Sequence, residues 1–183
     1  AGMASGDIGN CENHAMVNGA NFVGGIVGNY VFSDKSITSC ANYGVVTGTG
    51  NSVGGIAGDF GSGTIQNCAN YGDITGTFYV GNLIGCADEC NLDNVLGTGN
   101  VTATFDTGCA GLLVGSIGFS SSTGILAYSS SAKLTINKTE QTSEAVKAIG
   151  YGSLTYPDGK NEADVIKAFT PEQLKSGEVA YLL

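Results

Sequence analysis

Six cysteines and a single histidine are the side chains best suited to bind a metal or to form a covalent bond. Cys11, Cys40 and Cys68 occupy equivalent positions in three similar segments. We expect them to form a column of buried thiols, because a tetrahedral metal site needs ligands that converge and a disulfide needs a geometry that adjacent parallel strands do not provide. The other three cysteines lie outside this column, and two of them could form a disulfide: Cys86, Cys90 and Cys109.

Aromatic side chains form a second candidate site. His14, Tyr43 and Tyr71 occupy one equivalent position, which Thr98 takes in the next segment. These residues could form a strip on which the rings of a glycan stack, or they could simply stack on one another along a corner of the fold. With one histidine in the chain, neither a two-histidine metal site nor a paired catalytic histidine is indicated.

Threonines alternate with small residues in a further array. In Thr-x-Thr triplets of this kind both hydroxyls are expected to face outward from a strand. Such ladders resemble the surface of ice-binding solenoids, although threonine also suits any exposed strand position. The triplets are Thr47-Gly48-Thr49, Thr75-Gly76-Thr77 and Thr102-Ala103-Thr104.

Carboxylates are scattered over different positions of the repeat, and we expect no catalytic site. Glycoside hydrolysis needs two carboxyl groups facing each other across a cleft, and short coils offer no long loop to build one. The alternative is a polysaccharide-active enzyme, or its substrate-binding segment, with acidic side chains on one wall. A calcium ion near residues 88–93 is a weaker hypothesis, because the spacing matches no known calcium loop. The acids considered are Asp59, Asp73, Asp88, Glu89, Asp93 and Asp106.

These candidates are all placed by an internal repeat. Cys11, Cys40, Cys68 and Val95 begin four related segments and lie 29, 28 and 27 residues apart. Periods of this length are typical of stacked supersecondary units. The segments read Cys11-Glu12-Asn13-His14-Ala15-Met16-Val17-Asn18-Gly19, Cys40-Ala41-Asn42-Tyr43-Gly44-Val45-Val46-Thr47-Gly48, Cys68-Ala69-Asn70-Tyr71-Gly72-Asp73-Ile74-Thr75-Gly76 and, less regularly, Val95-Leu96-Gly97-Thr98-Gly99-Asn100-Val101-Thr102-Ala103.

Three short apolar stations recur in each segment, separated by glycine-rich corners. In the second segment they are Ile37 with Cys40, then Val46, then Val53-Gly54-Gly55-Ile56. The pattern predicts an all-β fold, a parallel β-solenoid with three short strands per coil and about 28 residues per coil. Stacking would align equivalent residues in columns. We expect one column to bond neighbouring coils through its side chains: Asn13, Asn42 and Asn70.

The chain divides into three predicted parts. Residues 1–7 resemble the tail of a preceding coil, and the solenoid occupies 8–150, with a divergent fifth coil from about residue 125. Residues 151–183 are predicted to cap it with short helices. Val165, Ile166 and Phe169 fit one helical face, and a second helix is expected to begin at Thr170-Pro171 and to end near Gly177.

Composition excludes several function classes. The chain has 183 residues, of which 30 are glycine and 42% are hydrophobic, and its net charge is −9. All seven basic residues are lysines, so nucleic-acid binding is not expected. No apolar run is long enough to predict insertion into a membrane.

The combination of Asn-Cys-x-Asn-x-Gly, Val/Ile-Thr-Gly and Val-Gly-Gly-Ile-x-Gly resembles the GLUG-motif repeats of bacterial secreted or cell-surface proteins. The resemblance covers residues 8 to about 115 well, and the ending Ser176–Leu183 looks like a segment that often follows such repeats. It implies an extracellular or cell wall-attached module for adhesion or spacing, with a glycan or another host or cell-surface ligand as the partner. It carries no catalytic residues and no cofactor.

Overall fold

The computed structural model describes residues 2–30, 35–105, 109–142 and 146–176. Strands make up 53% of the chain and helices 6%. The parallel sheets stack as a β-solenoid of about four turns, with two short helices near the C-terminal end. The predicted fold class is therefore confirmed.

The strands and helices follow one another in coils. The first coils contain β1 (Met3–Ala4), β2 (Ile8–Gly9), β3 (Glu12–Asn13), β4 (Val17–Gly19), β5 (Val23–Gly24), β6 (Val27–Tyr30), β7 (Ser36–Thr38), β8 (Ala41–Asn42), β9 (Val46–Gly48), β10 (Asn51–Gly54) and β11 (Ala57–Phe60). The middle coils contain β12 (Gly63–Asn70), β13 (Ile74–Gly76), β14 (Phe78–Gly81), β15 (Ile84–Ala87), β16 (Cys90–Gly97), β17 (Val101–Ala103), β18 (Ala110–Gly111) and β19 (Val114–Ile117). The last part contains β20 (Ser120–Ser122), β21 (Leu126–Ser129), β22 (Leu134–Ile136), β23 (Thr139–Glu140), β24 (Ile149–Tyr151), β25 (Leu154–Thr155), α1 (Glu162–Val165), β26 (Ile166–Phe169) and α2 (Pro171–Ser176).

Four sheets run along the stack, and we number them in the order in which the chain passes through them from β2 onward. Sheet 1 contains β2, β3, β7, β8, β12, β16, β20, β21, β25 and β26. Sheet 2 contains β4, β9, β13, β17, β22 and β23, and sheet 3 contains β5, β10, β14 and β18. Sheet 4 contains β1, β6, β11, β15, β19 and β24. The described pairs are parallel except β22 with β23.

The pairing register reproduces the repeat found in the sequence. Cys68 pairs with Val95, which aligns the less regular fourth segment with the third. The divergent fifth coil also aligns, because β21, β22 and β24 pair with β16, β17 and β19. Below the first coil, Met3 pairs with Asn29, so β1 adds one more strand to sheet 4.

Each regular coil contributes strands to four sheets. The prediction of three strands per coil is therefore corrected. The third apolar station is bent in its middle, so that its two halves join different sheets. In the second coil the bend lies at Gly55 and Ile56, between β10 in sheet 3 and β11 in sheet 4. A Cβ atom on Gly54 would lie 2.7 Å from the backbone nitrogen of Gly85 in sheet 4. Glycine is therefore required where the two sheets meet back to back.

The apolar side chains form two main cores, one on each side of this glycine contact. The larger core lies between sheets 1 and 4 and contains Ile37, Ile65 and Phe60. The smaller core lies between sheets 2 and 3 and contains Val46 and Val53. Every one of these five side chains is fully buried.

A ladder of asparagine side chains links successive coils, as the sequence predicts. Asn13 donates from Nδ2 to Oδ1 of Asn42 at 2.7 Å, and Asn42 donates to Oδ1 of Asn70 at 2.6 Å. Each Nδ2 also donates to a carbonyl in its own coil, from Asn42 to Gly44 and from Asn70 to Gly72, both at 2.7 Å. Asn42 and Asn70 are completely buried. These bonds satisfy polar groups that would otherwise be costly in the interior.

At the fourth coil the ladder continues through an asparagine from the bend between β14 and β15. The register position of this coil is occupied by Gly97, which pairs with Asn70. The amide comes instead from Asn82, which accepts from Nδ2 of Asn70 at 2.9 Å and donates to the Gly99 carbonyl at 2.7 Å. At the contact one coil below, asparagine and glycine have exchanged places. There Asn70 of sheet 1 faces Gly55 in the bend between β10 and β11, and a Cβ atom on Gly55 would collide with the Asn70 amide. Each of these contacts thus needs one asparagine and one glycine, and either side of the solenoid can supply the asparagine.

The C-terminal segment is only partly helical. Asn161 caps α1 in a capping box with Asp164, and Thr170 caps α2, accepting from the Gln173 backbone N–H at 3.2 Å. The expected helix across Val165, Ile166 and Phe169 is wrong beyond Val165, because Ile166–Phe169 is strand β26 and pairs with β21. Gly177 lies outside the described residues. The division into a solenoid over 8–150 and a cap over 151–183 stays a prediction.

The exchange between Asn82 and Gly97 predicts a rescue. Asn82→Gly should destabilise the fold by about 1–3 kcal/mol, because it leaves the Gly99 carbonyl without its buried donor. Gly97→Asn should cost a similar amount, since its Cβ would lie 2.6 Å from Oδ1 of Asn82. The double variant rebuilds the arrangement of the coil below and should be more stable than either single variant. Thermal unfolding followed by circular dichroism measures this, with Asn18→Gly as an exposed control; losses that simply add would contradict the ladder.

Candidate functional site

The aromatic column is formed as one of the sequence interpretations predicts. His14, Tyr43 and Tyr71 each follow a ladder asparagine, so they point out of sheet 1 while the amides point in. The His14 and Tyr43 ring centroids are 4.6 Å apart with planes 3° from parallel. Tyr43 and Tyr71 are 4.9 Å apart at 9°. The structure therefore brings all three predicted site residues together in one continuous stack.

Stacking changes what this column can bind. Tyr43 offers no free ring face to a glycan, because its two faces lie against His14 and Tyr71. Tyr43 and Tyr71 are each still 44% exposed. Burial, and then the neighbouring Tyr43, raise the pKa of the Tyr71 hydroxyl, so it stays neutral. The Nε2 atom of His14 lies 3.0 Å from a carboxylate oxygen of Glu12.

Two further columns run beside the rings on the outer face of sheet 1. Ala41, Ala69 and Leu96 pair in register and form an apolar floor. On the far side of the floor lies a column of residues with left-handed backbone, Asn10, Ser39, Asn67 and Asn94, with φ between 51° and 54°. The rings, the floor and this column together form what we call the outer strip.

The outer strip deepens at its C-terminal end. A depression of about 300 Å³ is lined there by Asn67, Cys68, Ala69, Tyr71, Asn94 and Leu96, and we call it the Tyr71 depression. Sequence reasoning missed its two asparagines. The available signal was the asparagine that immediately precedes Cys11, Cys68 and Val95, since asparagine is among the few residues that readily adopt a left-handed backbone.

The cysteine column is a structural feature. Cys40 and Cys68 are 1% exposed in the larger core, and their Sγ atoms donate to the carbonyls of Thr38 and Gln66, both at 3.2 Å. Burial raises the pKa of Cys68 to about 12, so its thiol is neutral and unreactive. The predicted burial of Cys11 is wrong, because this residue lies in the first coil and is exposed. Cys86 and Cys90 are thiols in the structure, so the disulfide that the sequence left possible between two of Cys86, Cys90 and Cys109 is not formed.

The threonine array is one rung taller than the sequence indicates. Thr47, Thr75 and Thr102 align in sheet 2, and Thr135 continues the column. The second threonines of the triplets, Thr49, Thr77 and Thr104, form what we call the outer column. Within it Thr104 donates to Oγ1 of Thr77 at 3.3 Å. Thr77 itself donates to the carbonyl of Thr49 at 3.0 Å. Hydroxyls of the outer column are thus partly used within the array.

The acidic side chains are separate from one another. Asp73 accepts from the Asn100 backbone N–H at 2.8 Å, and Asp93 accepts from Gln66. Asp59 lies on sheet 4, where burial raises its pKa. Asp88 accepts from the Glu89 N–H rather than joining Asp93 in a calcium site. Asp106 lies outside the described residues, and within the described ranges no group of three or more His, Cys, Asp or Glu could hold a metal ion.

Two further depressions that contain a carboxylate were not foreseen. One of about 630 Å³ lies at the C-terminal end and is lined by residues that include Tyr128, Tyr151, Tyr156 and Glu162. Another of about 580 Å³ lies beside Phe119, which is 89% exposed, and it includes Glu89. Each has a single carboxylate among its described lining residues. Neither therefore provides a carboxylate pair of the kind that glycoside hydrolysis requires.

Comparison with known proteins gives one fold relative. No family model matches the chain, and no curated protein matches it. A crystal structure of a candidate immunoglobulin A1 protease from Bacteroides ovatus matches with a TM-score of 0.70 and 24% sequence identity. The match covers 96% of this chain and 53% of the other, so this chain spans about half the length of that protein. The likeness establishes a shared β-solenoid fold.

Among the described residues, no helix has the length and apolar character needed to cross a bilayer.

The thiols should differ sharply in reactivity. At pH 8 iodoacetamide should modify the exposed Cys11 in the native protein, while Cys68 and Cys90 should stay unmodified, because burial raises their pKa values to about 12 and about 11 and excludes the reagent. After denaturation in urea all six should react. Peptide mass spectrometry measures the extents. Equal modification of Cys11 and Cys68 in the native protein would contradict the buried column.

Proposed function

We propose that this chain is a noncatalytic, extracellular repeat module of a bacterial surface protein that binds a neutral glycan weakly while spacing or presenting neighbouring parts. The observation that carries the proposal is the outer strip, where ring edges lie beside a continuous apolar floor. Sugar rings have apolar faces and polar edges, and such surfaces are recognised by aromatic groups with amides nearby.

Charge favours a neutral ligand. Glu12 and His14 form a pair in the first coil, and no lining residue of the Tyr71 depression carries a formal charge. The chain as a whole has a net charge of −9, which disfavours acidic glycans and phosphate-rich partners. A surface of this kind gains its selectivity from shape and hydrogen bonding.

The extracellular setting is supported by the fold neighbour and by the GLUG-like motifs. The neighbour is described as a protease, and this chain shares the solenoid with it. We propose an adhesive or spacing role rather than hydrolysis, because a solenoid of short coils lends itself to repetition of one binding face. Repetition converts weak single-site binding into avidity.

The aromatic column can be removed without touching the core. Tyr43→Ala combined with Tyr71→Ala should abolish retention by neutral polysaccharides embedded in a native gel. It should also lower the stability by about 1–3 kcal/mol, since two ring contacts are lost. The far-ultraviolet circular dichroism spectrum should be unchanged at 20 °C, a temperature below the melting midpoint. Tyr79→Ala combined with Tyr151→Ala, two exposed tyrosines off the column, is the matched control. Retention that survives the first change would place binding elsewhere, with the threonine array as the next surface to test.

The alternative, a polysaccharide-active enzyme, makes a different prediction. An enzyme of this kind should release new reducing ends from the retained polysaccharide, whereas the noncatalytic module that we propose should release none. Hydrolysis that a single change such as Glu162→Gln or Glu89→Gln abolishes would overturn the noncatalytic assignment.

A further inference from the structure

The aromatic column stops at Tyr71, so the next position along the column provides no ring to cover the second face of Tyr71. Thr98 takes the next position and donates to the Asn70 carbonyl at 3.5 Å. The Tyr71 depression opens beside the last ring, with about 300 Å³ of volume. That volume lies at the lower end of the range for small-molecule sites, which suits one monosaccharide unit.

The depression is closed on its C-terminal side. Leu96 is only 8% exposed, because it packs in a small cluster with Ala127 and Phe169. Leu174 of α2 packs against the same cluster. Toward the first coil the outer strip continues over Ala69 and Ala41. A ligand lying along the strip therefore meets a wall at one end and open floor at the other.

The two walls of the depression supply different contacts. Tyr71 and the floor offer apolar surface, while Asn67 and Asn94 offer amides. The Asn94 Oδ1 atom accepts from the Ile125 N–H at 3.2 Å, which fixes this side chain while leaving its NH₂ group able to donate further. Both asparagines are held by left-handed backbone, with φ of 53° and 51°. The arrangement therefore places hydrogen-bonding groups at the edge of an apolar seat.

We propose that the Tyr71 depression holds the terminal unit of a neutral glycan whose chain runs along the outer strip toward the first coil. The inference rests on the proposed glycan-binding function. It adds which depression holds the terminal sugar, in which direction the glycan chain runs, and that the end of the glycan is recognised. An extended peptide fits less well, because this surface is the face of sheet 1 and offers no free strand edge for backbone pairing.

One pair of variants covers the free face of Tyr71 or leaves it open. Thr98→Tyr should extend the aromatic stack by one ring and raise the melting midpoint, while it covers the Tyr71 face that the glycan would contact and weakens retention by about tenfold or more. Thr98→Val should leave retention within about twofold, since it adds no ring. The probe is a neutral linear polysaccharide that the wild-type protein retains in a native gel. Full retention by a Thr98→Tyr protein with a raised midpoint would overturn the assignment of the seat.

A second pair tests the amide without covering the free face of Tyr71. Asn67→Gly keeps the left-handed backbone and removes the side chain, and it should weaken retention severalfold. Asn137→Gly makes the same change at another exposed asparagine with left-handed backbone, which follows β22 in sheet 2 and lies outside the outer strip, and it should leave retention unchanged. Equal retention by both variants would contradict a role for Asn67.

Chain-end recognition has its own readout. Partial acid hydrolysis of the same polysaccharide multiplies chain ends at constant mass, so the hydrolysate should compete more strongly per unit mass than the intact polymer. Unchanged or weaker competition would overturn end recognition.

Should the wild-type protein be retained by no neutral polysaccharide, the proposed function itself fails. Should the Tyr43 and Tyr71 double variant lose retention while the Thr98→Tyr and Asn67→Gly variants keep it, the inference about the depression fails alone.

Discussion

The buried asparagine ladder is the interaction on which the rest of the structure depends. The fully buried amides of Asn42 and Asn70 bond both a neighbouring coil and a carbonyl of their own coil. A single bond of this kind contributes about 1 kcal/mol net, but a buried amide left without partners costs about 1–3 kcal/mol. A shift of one coil by one residue would turn these amides outward and bring apolar side chains out with them. The ladder therefore selects one register, and every column on the surface inherits it.

The same constraint requires glycine at the positions that face the buried amides. Gly55 faces Asn70 because no side chain fits beside the amide, and one level higher Asn82 faces Gly97 in the reverse arrangement. The walls of sheets 3 and 4 also meet through glycine, which leaves two main cores on either side. Side chains that point outward are consequently free to carry function without affecting the interior. The outer strip and the threonine array are two such surfaces, and they lie on different sheets.

Much of this could be read from the sequence, and the exceptions share a cause. The period, the parallel solenoid and the column of Asn13, Asn42 and Asn70 follow from local repetition. The role of Asn82 does not, since it depends on what is missing at Gly97 across the coil. Ile166–Phe169 fits a helix by spacing, yet pairing with β21 decides for a strand, because a short apolar run is compatible with both. The three ring positions were predicted together, but the Tyr71 depression also needs α2 to fold back onto Leu96, a contact between distant parts of the chain.

Hydrogen exchange of the asparagine side-chain amides, measured by nuclear magnetic resonance, tests the ladder most directly. The NH₂ protons of Asn42, Asn70 and Asn82 should exchange only through opening of the stack, at rates close to those of the slowest backbone amides in sheets 1 and 4. The NH₂ protons of the exposed Asn18 should exchange as fast as those of a free peptide. Fast exchange at Asn42 and Asn70 in a protein whose backbone amides stay protected would contradict the account, because the register would then be held by something other than these bonds.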